Sequence, residues 1–104
     1  MILIAGRMYY AVVHWTNGVI LWTGTSEDHI AKHNVTPDEV EEVLYGRPRL
    51  RVPGRQSTYL VLGQTAAGRY LLIVTARSGE DQIYIVTARD MKENERRLFA
   101  RKGR

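Results

Sequence analysis

Two neighbouring apolar segments, residues 69–76 and 82–88, constrain the fold of this chain more than any other feature of the sequence. Both are rich in β-branched and aromatic residues, and the stretch between them, 78–81, has the composition of a turn. This pattern predicts a β-hairpin. Apolar residues stand side by side in both segments, as in Leu71-Leu72, so we expect both faces to be covered and the hairpin to form the middle of a sheet.

Three arginines mark the ends of this predicted hairpin. Arg69 begins the first strand, Arg77 ends it, and Arg89 ends the second strand. At about 3.4 Å per residue, antiparallel pairing brings Arg69 close to Arg89 and leaves Arg77 roughly 25 Å away. We therefore expect Arg69 and Arg89 at one end of the sheet and Arg77 at the other.

The composition is that of an ordinary globular domain. The 104 residues are 44% hydrophobic, which predicts a single domain, 1–104, with one core. The sequence has no cysteine, which excludes thiol chemistry and fits a reducing cytoplasm. Residues 1–7 are apolar but short and end at Arg7, so neither a signal peptide nor a membrane span is expected. They either belong to the first strand region or form an extension before Met8.

The charge is unevenly distributed along the chain. Residues 1–46 contain two basic and six acidic side chains, whereas residues 47–104 contain thirteen basic and five acidic ones. Such a basic half favours a polyanionic partner, and nucleic acid is the usual polyanion of the cytoplasm, although acidic proteins also bind such surfaces.

The first half of the chain predicts a hairpin followed by a short helix. Residues 8–15 and 19–23 flank Asn17-Gly18, a dipeptide that suits a type I′ turn. A helix is expected to open at Thr25, with Thr25 and Asp28 at capping-box spacing, and to run through His33. Asn34 is expected to end this helix in the left-handed conformation.

A second helix is predicted from Pro37 to Tyr45. Thr36 and Glu39 have the spacing of a capping box, and Val35 and Val40 that of a hydrophobic staple. This pattern places Val40, Val43 and Leu44 in the core and the acidic side chains on a solvated face.

The second half predicts a loop, three strands and a final helix. Residues 47–55 contain four arginines with two prolines and a glycine, so we expect a loop of solvated charge or an arm that contacts phosphate. A strand over 57–62 then precedes the central hairpin. The last helix is expected to start with Asp90 and Glu93 as a capping pair and to reach Lys102. The fold class is therefore α+β, with an antiparallel sheet, two short helices before its main strands and one after them.

The sequence contains no motif for most kinds of catalytic or binding site. The three histidines are His14, His29 and His33; the last two are four residues apart on one helix, but no third metal ligand is evident. There is no phosphate-binding glycine loop and no nucleophile motif, so no metal and no cofactor is expected.

A reaction at a phosphate group, stabilised by positively charged side chains, is the remaining kind of site chemistry. RNA supplies its own nucleophile, the 2′-hydroxyl, so an endoribonuclease needs cations near the scissile phosphate and a group that moves protons. Arg69 and Arg89 have the required charge, and His33 or Tyr70 could carry the proton. For each arginine taken alone, structural ion pairing is the more common role.

Several segments resemble a known family in their order and spacing. They are Trp22 with the run 29–35, the acidic helix 37–45, the strand start 68–70, and the runs 85–89 and 95–99. Over about residues 19–104 the chain is similar to the BrnT toxins of type II toxin–antitoxin systems, within the RelE-like superfamily. Asn34 stands where that family usually has glycine, and residues 8–16 have no counterpart in it.

The resemblance implies a RelE-like fold, metal-independent cleavage of RNA that arrests growth, and neutralisation by a ribbon-helix-helix antitoxin. It implies that Arg89 and Arg69 stabilise the phosphate and that His33 and Lys32 assist proton transfer or phosphate placement. Arg77 is the alternative site residue, should the site lie at the other end of the sheet. The predicted RNA-binding residues are basic side chains of the second half of the chain: Arg96, Arg97, Arg101 and Arg55.

Three hypotheses follow from the sequence. The first is the ribonuclease toxin. The second is a module of the same fold that binds RNA or an acidic protein without catalysis, and the third is an obligate dimer subunit whose N-terminal hairpin supplies an edge strand. Trp22 is expected in the core rather than as a base-stacking platform.

Overall fold

A computed structural model describes residues 9–13, 18–78 and 82–104, with strand 9–13 described by its backbone alone. The start of the chain, His14 and the parts of the two predicted turns at 16–17 and 79–81 lie outside the described residues. None of the described helices is long and apolar enough to cross a bilayer. The elements, in chain order, are β1 Tyr9–Val13, β2 Gly18–Trp22, α1 Gly24–Ala31, α2 Pro37–Tyr45, β3 Arg49–Pro53, β4 Thr58–Gln64, β5 Tyr70–Arg77, β6 Gln82–Asp90 and α3 Glu93–Lys102.

The described strands form one six-stranded sheet in the order β1-β2-β6-β5-β4-β3. The neighbours from β3 to β6 pair antiparallel, as do β1 and β2. However, β2 pairs with β6 in parallel. The expected antiparallel pairing therefore holds for the consecutive strands and is wrong for β2 with β6, because two helices and three strands lie between them in the chain and bring β6 back in the same direction as β2. The mixed α+β class is confirmed.

The central position of the β5–β6 hairpin is confirmed. Leu71, Ile73 and Ile85 pack into a core cluster with α1 and α2 on one face of the sheet. Leu72 packs with Phe99 of α3 on the other face. Covering on both faces explains why these strands lack an apolar-polar alternation. We name the two sides of the sheet the α1/α2 face and the α3 face.

The first helix begins earlier than its predicted cap. The N-cap is Thr23, whose hydroxyl accepts a hydrogen bond from the Ser26 N–H at 3.0 Å. The predicted pair of Thr25 and Asp28 is wrong, since Gly24 and Thr25 already lie inside the first turn, and the helix ends at Ala31 rather than at His33. Strand β2 ends at Trp22, so the N-cap Thr23 follows the strand directly.

The second helix follows its local signals. Thr36 and Glu39 form the predicted capping box, and Val40, Val43 and Leu44 are buried. Asn34 has φ 58°, which confirms the left-handed residue between the helices. Trp22 is fully buried, as expected.

The arginine-rich segment is a strand, not a loop. Residues Arg49–Pro53 form β3 at the edge of the sheet, in register with β4. The Arg49 guanidinium donates to the carbonyls of Leu44 and Gly46 and so caps the C-terminal end of α2. Arg51 stacks over the ring of Tyr59 at 4.3 Å. The loop prediction was wrong because these long-range contacts give the arginines partners that the local sequence does not reveal.

Helix α3 crosses the sheet at one end. Its N-cap is Lys92, whose N–H donates to Glu95, so the predicted capping pair of Asp90 and Glu93 is wrong. The helix follows the end of β6, and Arg104 pairs through backbone hydrogen bonds with Arg49 of β3 at the far edge. The helix therefore spans the sheet from β6 to β3 on the α3 face.

Candidate active site and nucleic-acid interface

Arg69 lies just before β5 and is fully engaged. Its Nε and Nη2 donate to the Asp90 carboxylate, with Nε–Oδ1 at 2.7 Å. Nη2 also donates to the His33 carbonyl, and Nη1 donates to the Asn34 carbonyl and to Glu39. A guanidinium has five N–H donors. All of them have partners here, so an added phosphate would have to displace one.

This network fixes the turn that carries His33 and Lys32. Arg69 joins the His33 and Asn34 carbonyls to α2 through Glu39 and to the end of β6 through Asp90. The side chains of Lys32 and His33 themselves are exposed. The His33 carbonyl and the Asp90 carboxylate accept hydrogen bonds from the same Nη2 of Arg69, which places the two residues near one another. The turn thus presents two basic side chains at the end of the sheet.

Arg89 forms a different, two-pronged ion pair. Its Nη1 and Nη2 donate to the two carboxylate oxygens of Glu95, each at 2.8 Å, and Nη1 also donates to the Asp90 carbonyl. Within the described part of the chain, its Nε–H and the second Nη2–H have no acceptor. Those two donors form the side-on edge of the guanidinium, which fits two oxygens of a phosphate. Arg89 can therefore hold Glu95 and a phosphate together.

The sheet separates the two arginines. Arg89 stands opposite Leu72 of the α3-face cluster, and Asp90 stands opposite Leu71 of the α1/α2-face cluster. Side chains alternate along a strand, so Arg89 points to the α3 face, whereas Asp90 and its partner Arg69 lie on the other face. The structure thus brings Arg69, His33 and Lys32 together and places Arg89 at the same end of the sheet across the strand.

Arg77 and Arg55 lie at the opposite end. Arg77 ends β5 opposite Ile83. Arg55 is exposed in the turn between β3 and β4, beside Thr58, which pairs with Ala76 of β5. The structure does not bring these two residues together with Arg69 or Arg89.

Helix α3 carries the other predicted RNA-binding residues. Arg96, Arg97 and Arg101 are exposed on it. The Arg96 guanidinium lies 4.1 Å from the ring centre of Tyr70, and Arg97 pairs with Glu93 at 3.4 Å. The α3 face is therefore cationic at its surface, whereas α2 on the other face has four acidic residues.

The two ion pairs differ in strength. The hydrogen bond from Arg69 lowers the pKa of Asp90, and the hydrogen bonds from Arg89 lower the pKa of Glu95. Asp90 is 66% exposed, so water weakens its attraction to Arg69, whereas Glu95 is 18% exposed. The Arg89–Glu95 pair is therefore the stronger tie, and it fixes α3 against the end of β6.

The pKa of Glu41 is shifted in the opposite direction to those of Asp90 and Glu95. It was expected on a solvated face, but it is partly buried and accepts a hydrogen bond from the indole N–H of Trp22 at 2.9 Å. Burial raises the pKa of Glu41, and the hydrogen bond from Trp22 only partly offsets this rise. The solvated-face expectation was wrong for Glu41 because the indole of Trp22 needs an acceptor inside the core.

The ring of His29 has a backbone partner. The Nδ1 atom of His29 lies 2.9 Å from the carbonyl oxygen of Val86, which fixes α1 on β6. Among the described residues, no three His, Cys, Asp or Glu side chains converge as a metal site would require.

Three acidic residues of this region could not be recognised as partners of the arginines from the sequence: Glu39, Asp90 and Glu95. Tyr70, named above as an alternative to His33 for the proton, lies beneath Arg96. Glu95 follows Arg89 by six residues across a helix start, so a helix N3 glutamate near a strand-end arginine was the available signal.

Together, the mixed sheet, the acidic α1/α2 face and the basic α3 face define a small α+β domain that suits a polyanionic ligand. A family model described as "Ribonuclease toxin, BrnT, of type II toxin-antitoxin system" matches residues 22–95. This match covers well over half of the chain, which therefore belongs to the BrnT family of ribonuclease toxins. The family implies an RNA target and an antitoxin protein as partner. No curated protein and no solved structure matches the chain.

The matched segment leaves out two parts of the structure. It begins at Trp22, the last residue of β2, so the β1–β2 hairpin precedes it. It ends at Glu95, so the Arg89–Glu95 pair lies inside it and Arg96, Arg97 and Arg101 lie beyond it.

The opposite pKa shifts of two glutamates predict opposite effects of the same substitution. Glu95→Gln removes a carboxylate whose pKa is lowered in the folded protein. The stability that this lowered pKa contributes is present above the unfolded pKa of about 4.3 and is lost as the pH falls through the folded pKa. We expect it to lower the unfolding free energy by about 1–2 kcal/mol at pH 7 and by less near pH 3.

Glu41→Gln keeps an acceptor for Trp22 but removes a charge whose pKa is raised. This raised pKa favours folding below the unfolded pKa, and the benefit is lost as the pH rises through the folded value. At pH 7 this variant should be as stable as the wild type or more stable. Urea unfolding from pH 3 to pH 8 tests both, and a loss of stability at pH 7 in Glu41→Gln equal to that in Glu95→Gln would contradict the assignment.

Proposed function

We propose that this chain cleaves RNA without a metal ion, as the growth-arresting toxin of a type II toxin–antitoxin system. The observation that carries the proposal is the open side-on edge of Arg89, held in place by Glu95 at the end of β6. Family membership supports the ribonuclease activity. Metal independence rests on the chemistry of RNA, since the 2′-hydroxyl is the nucleophile. Arginines can stabilise the negative charge of the phosphate, as a metal ion would otherwise do.

The proposed reaction is an attack of the 2′-oxygen on the adjacent phosphorus. The O2′–P bond forms as the P–O5′ bond breaks; the 2′-hydroxyl proton goes to a base, and the 5′-oxygen takes up a proton. Arg89 binds the phosphate as negative charge grows on its oxygens. His33 lies at the same end of the sheet as Arg89 but on the other side of the strand, so it is proposed to transfer the proton at the rim of the sheet, where Lys32 helps to place the phosphate.

Arg69 takes a positioning role in this proposal. Its five donors are occupied, and two of them hold the carbonyls of His33 and Asn34. It sets the position of the turn with Lys32 and His33 rather than binding the phosphate itself. Asp90 and Glu39 balance its charge, so the turn can stay fixed with or without RNA.

The finer family features are part of the proposal. The run of antiparallel strands from β3 to β6, preceded by two helices and followed by α3, supports a RelE-like fold. The family relation supports a ribbon-helix-helix antitoxin as the neutralising partner.

A second candidate function is a module that binds RNA without cleaving it. The pairing of Arg69, Arg89 and Arg97 with carboxylates favours it, since ion-paired arginines are common in proteins with purely structural charge. The same experiments separate the two candidates.

Arg89→Gln and Glu95→Gln break the same ion pair from its two sides. If Arg89 binds the scissile phosphate, Arg89→Gln should lower the cleavage rate at least about 100-fold, the cost of losing one strong transition-state donor. Glu95→Gln leaves the guanidinium in place and should keep cleavage within about tenfold of the wild type. Growth arrest in a bacterial host and cleavage of purified RNA in the presence of EDTA measure both.

Each candidate predicts a different pattern of cleavage rates. An equal loss of cleavage in Arg89→Gln and Glu95→Gln would show that Arg89 has a structural role only. If a third variant, Arg77→Gln, were the one that lost cleavage, the site would lie at the other end of the sheet. Binding of RNA without cleavage by the folded wild type would favour the second candidate. Cleavage that stops with EDTA would contradict metal independence.

Arg69→Lys tests the positioning role, because lysine keeps the charge but cannot hold two carboxylates and two carbonyls at once. We expect the cleavage rate to fall while the salt dependence of RNA binding stays the same. Loss of a phosphate contact, as expected for Arg89→Gln, instead reduces the slope of log K against log salt by about one. A reduced slope in Arg69→Gln would show that Arg69 binds phosphate directly.

A further inference from the structure

An open groove lies on the α3 face between the start of β5 and helix α3. Its volume is about 600 Å³, and it is lined by an aromatic ring, a methionine, an alanine, two arginines and a glutamate: Tyr70, Met91, Ala100, Arg96, Arg97 and Glu93. Its lining therefore combines apolar side chains with two cations. This combination is unlike the carboxylate-rich surface of α2 across the sheet.

Tyr70 and Arg96 form a stacked pair inside this groove. The Arg96 guanidinium carbon lies 4.1 Å from the centre of the Tyr70 ring. The Tyr70 ring is itself fixed by an edge-to-face contact with Phe99, with ring centres 6.2 Å apart. The Arg96 guanidinium is thus held over an ordered ring by a cation–π contact, and Arg96 is exposed to solvent.

We propose that this pair is a stacking site for one unpaired RNA base; the proposal rests on RNA being the ligand of this chain, and it adds the subsite that recognises a base. A flat cation with an ordered orientation is a known kind of platform for unpaired bases. The base would lie on Arg96 with Met91 and Ala100 beside it, and Glu93 could accept its amino hydrogens. Arg97 and Arg101 would contact the flanking phosphates.

Charge favours RNA over an acidic peptide in this groove. An acidic peptide would meet Glu93 beside Arg97 and Arg96, and it has no flat ring to place on the guanidinium. RNA combines both requirements, since its phosphates suit the exposed arginines and its bases suit the stacked one. Met91 of the groove follows Arg89 by two residues in the chain, so an RNA strand bound here would run close to the end of β6 that carries Arg89.

The matched variants Arg96→Lys and Arg97→Lys test the proposal. Both keep the charge and lie next to one another on an exposed helix surface, but only Arg96 stacks on Tyr70. The probes are a fluorescein-labelled 2′-O-methyl RNA octamer, which cannot be cleaved, and an abasic octamer of the same backbone charge. Binding is measured at several salt concentrations, and circular dichroism confirms that the variants fold.

The wild type should bind the octamer with bases about 5- to 100-fold more tightly than the abasic one, as expected from the loss of one base stack. Arg96→Lys should lose most of this preference without a change in salt slope, and Arg97→Lys should keep it. A wild type that binds both octamers equally, or an equal loss in the two variants, would overturn the proposal.

A partner protein in the groove would give a different result. Arg96→Lys would then leave RNA binding intact and weaken binding of the antitoxin, which would also overturn the base-stacking proposal. Because the octamer cannot be cleaved, this test does not depend on catalysis. Cleavage unaffected by Arg89→Gln, together with a lost base preference in Arg96→Lys, would refute the proposed active site and leave the base subsite standing.

Discussion

The pairing of β5 with β6 is the constraint on which the rest of the structure depends. These strands are buried on both faces, and the pairing register sets which side chain reaches which face. A shift by one residue would exchange Arg89 and Asp90 between the α3 face and the α1/α2 face. The register therefore determines that Arg89 meets Glu95 of α3 and that Asp90 meets Arg69.

The carboxylates then decide what each arginine can do. Two carboxylates and two carbonyls occupy every donor of Arg69, which makes it a bracket between β6, α2 and the turn after α1. A single carboxylate and one carbonyl hold Arg89 and leave one edge of it open. Two arginines at the same end of the sheet thus differ in how many of their N–H donors are already occupied.

The features that could be predicted from sequence are the local ones. The capping box of Thr36 and Glu39 and the left-handed Asn34 depend on residues within one turn, so the sequence contains all of their determinants. The central hairpin was predictable because both of its strands are rich in β-branched and aromatic residues, with apolar residues standing side by side. The position of Arg69 and Arg89 at one end of it followed from strand length alone.

The features that were missed depend on contacts between distant residues. Arg49 lies in a strand because it pairs with β4 and caps α2, and neither contact is visible in a segment rich in arginine and proline. The parallel pairing of β2 with β6 joins segments about sixty residues apart in sequence. The separation of Arg69 from Arg89 by the sheet required the register, and the stacking of Arg96 on Tyr70 required the packing of α3.

The measurement that tests the central claim most directly is a charge swap of the pair that holds Arg89. Unfolding free energy and RNA cleavage would be measured for Arg89→Glu, for Glu95→Arg and for the double variant. We predict that each single variant loses stability, that the double variant recovers much of it by restoring an ion pair, and that cleavage stays absent in the double variant. Recovery of cleavage together with stability would contradict the account, because it would show that Arg89 serves the fold and not the phosphate.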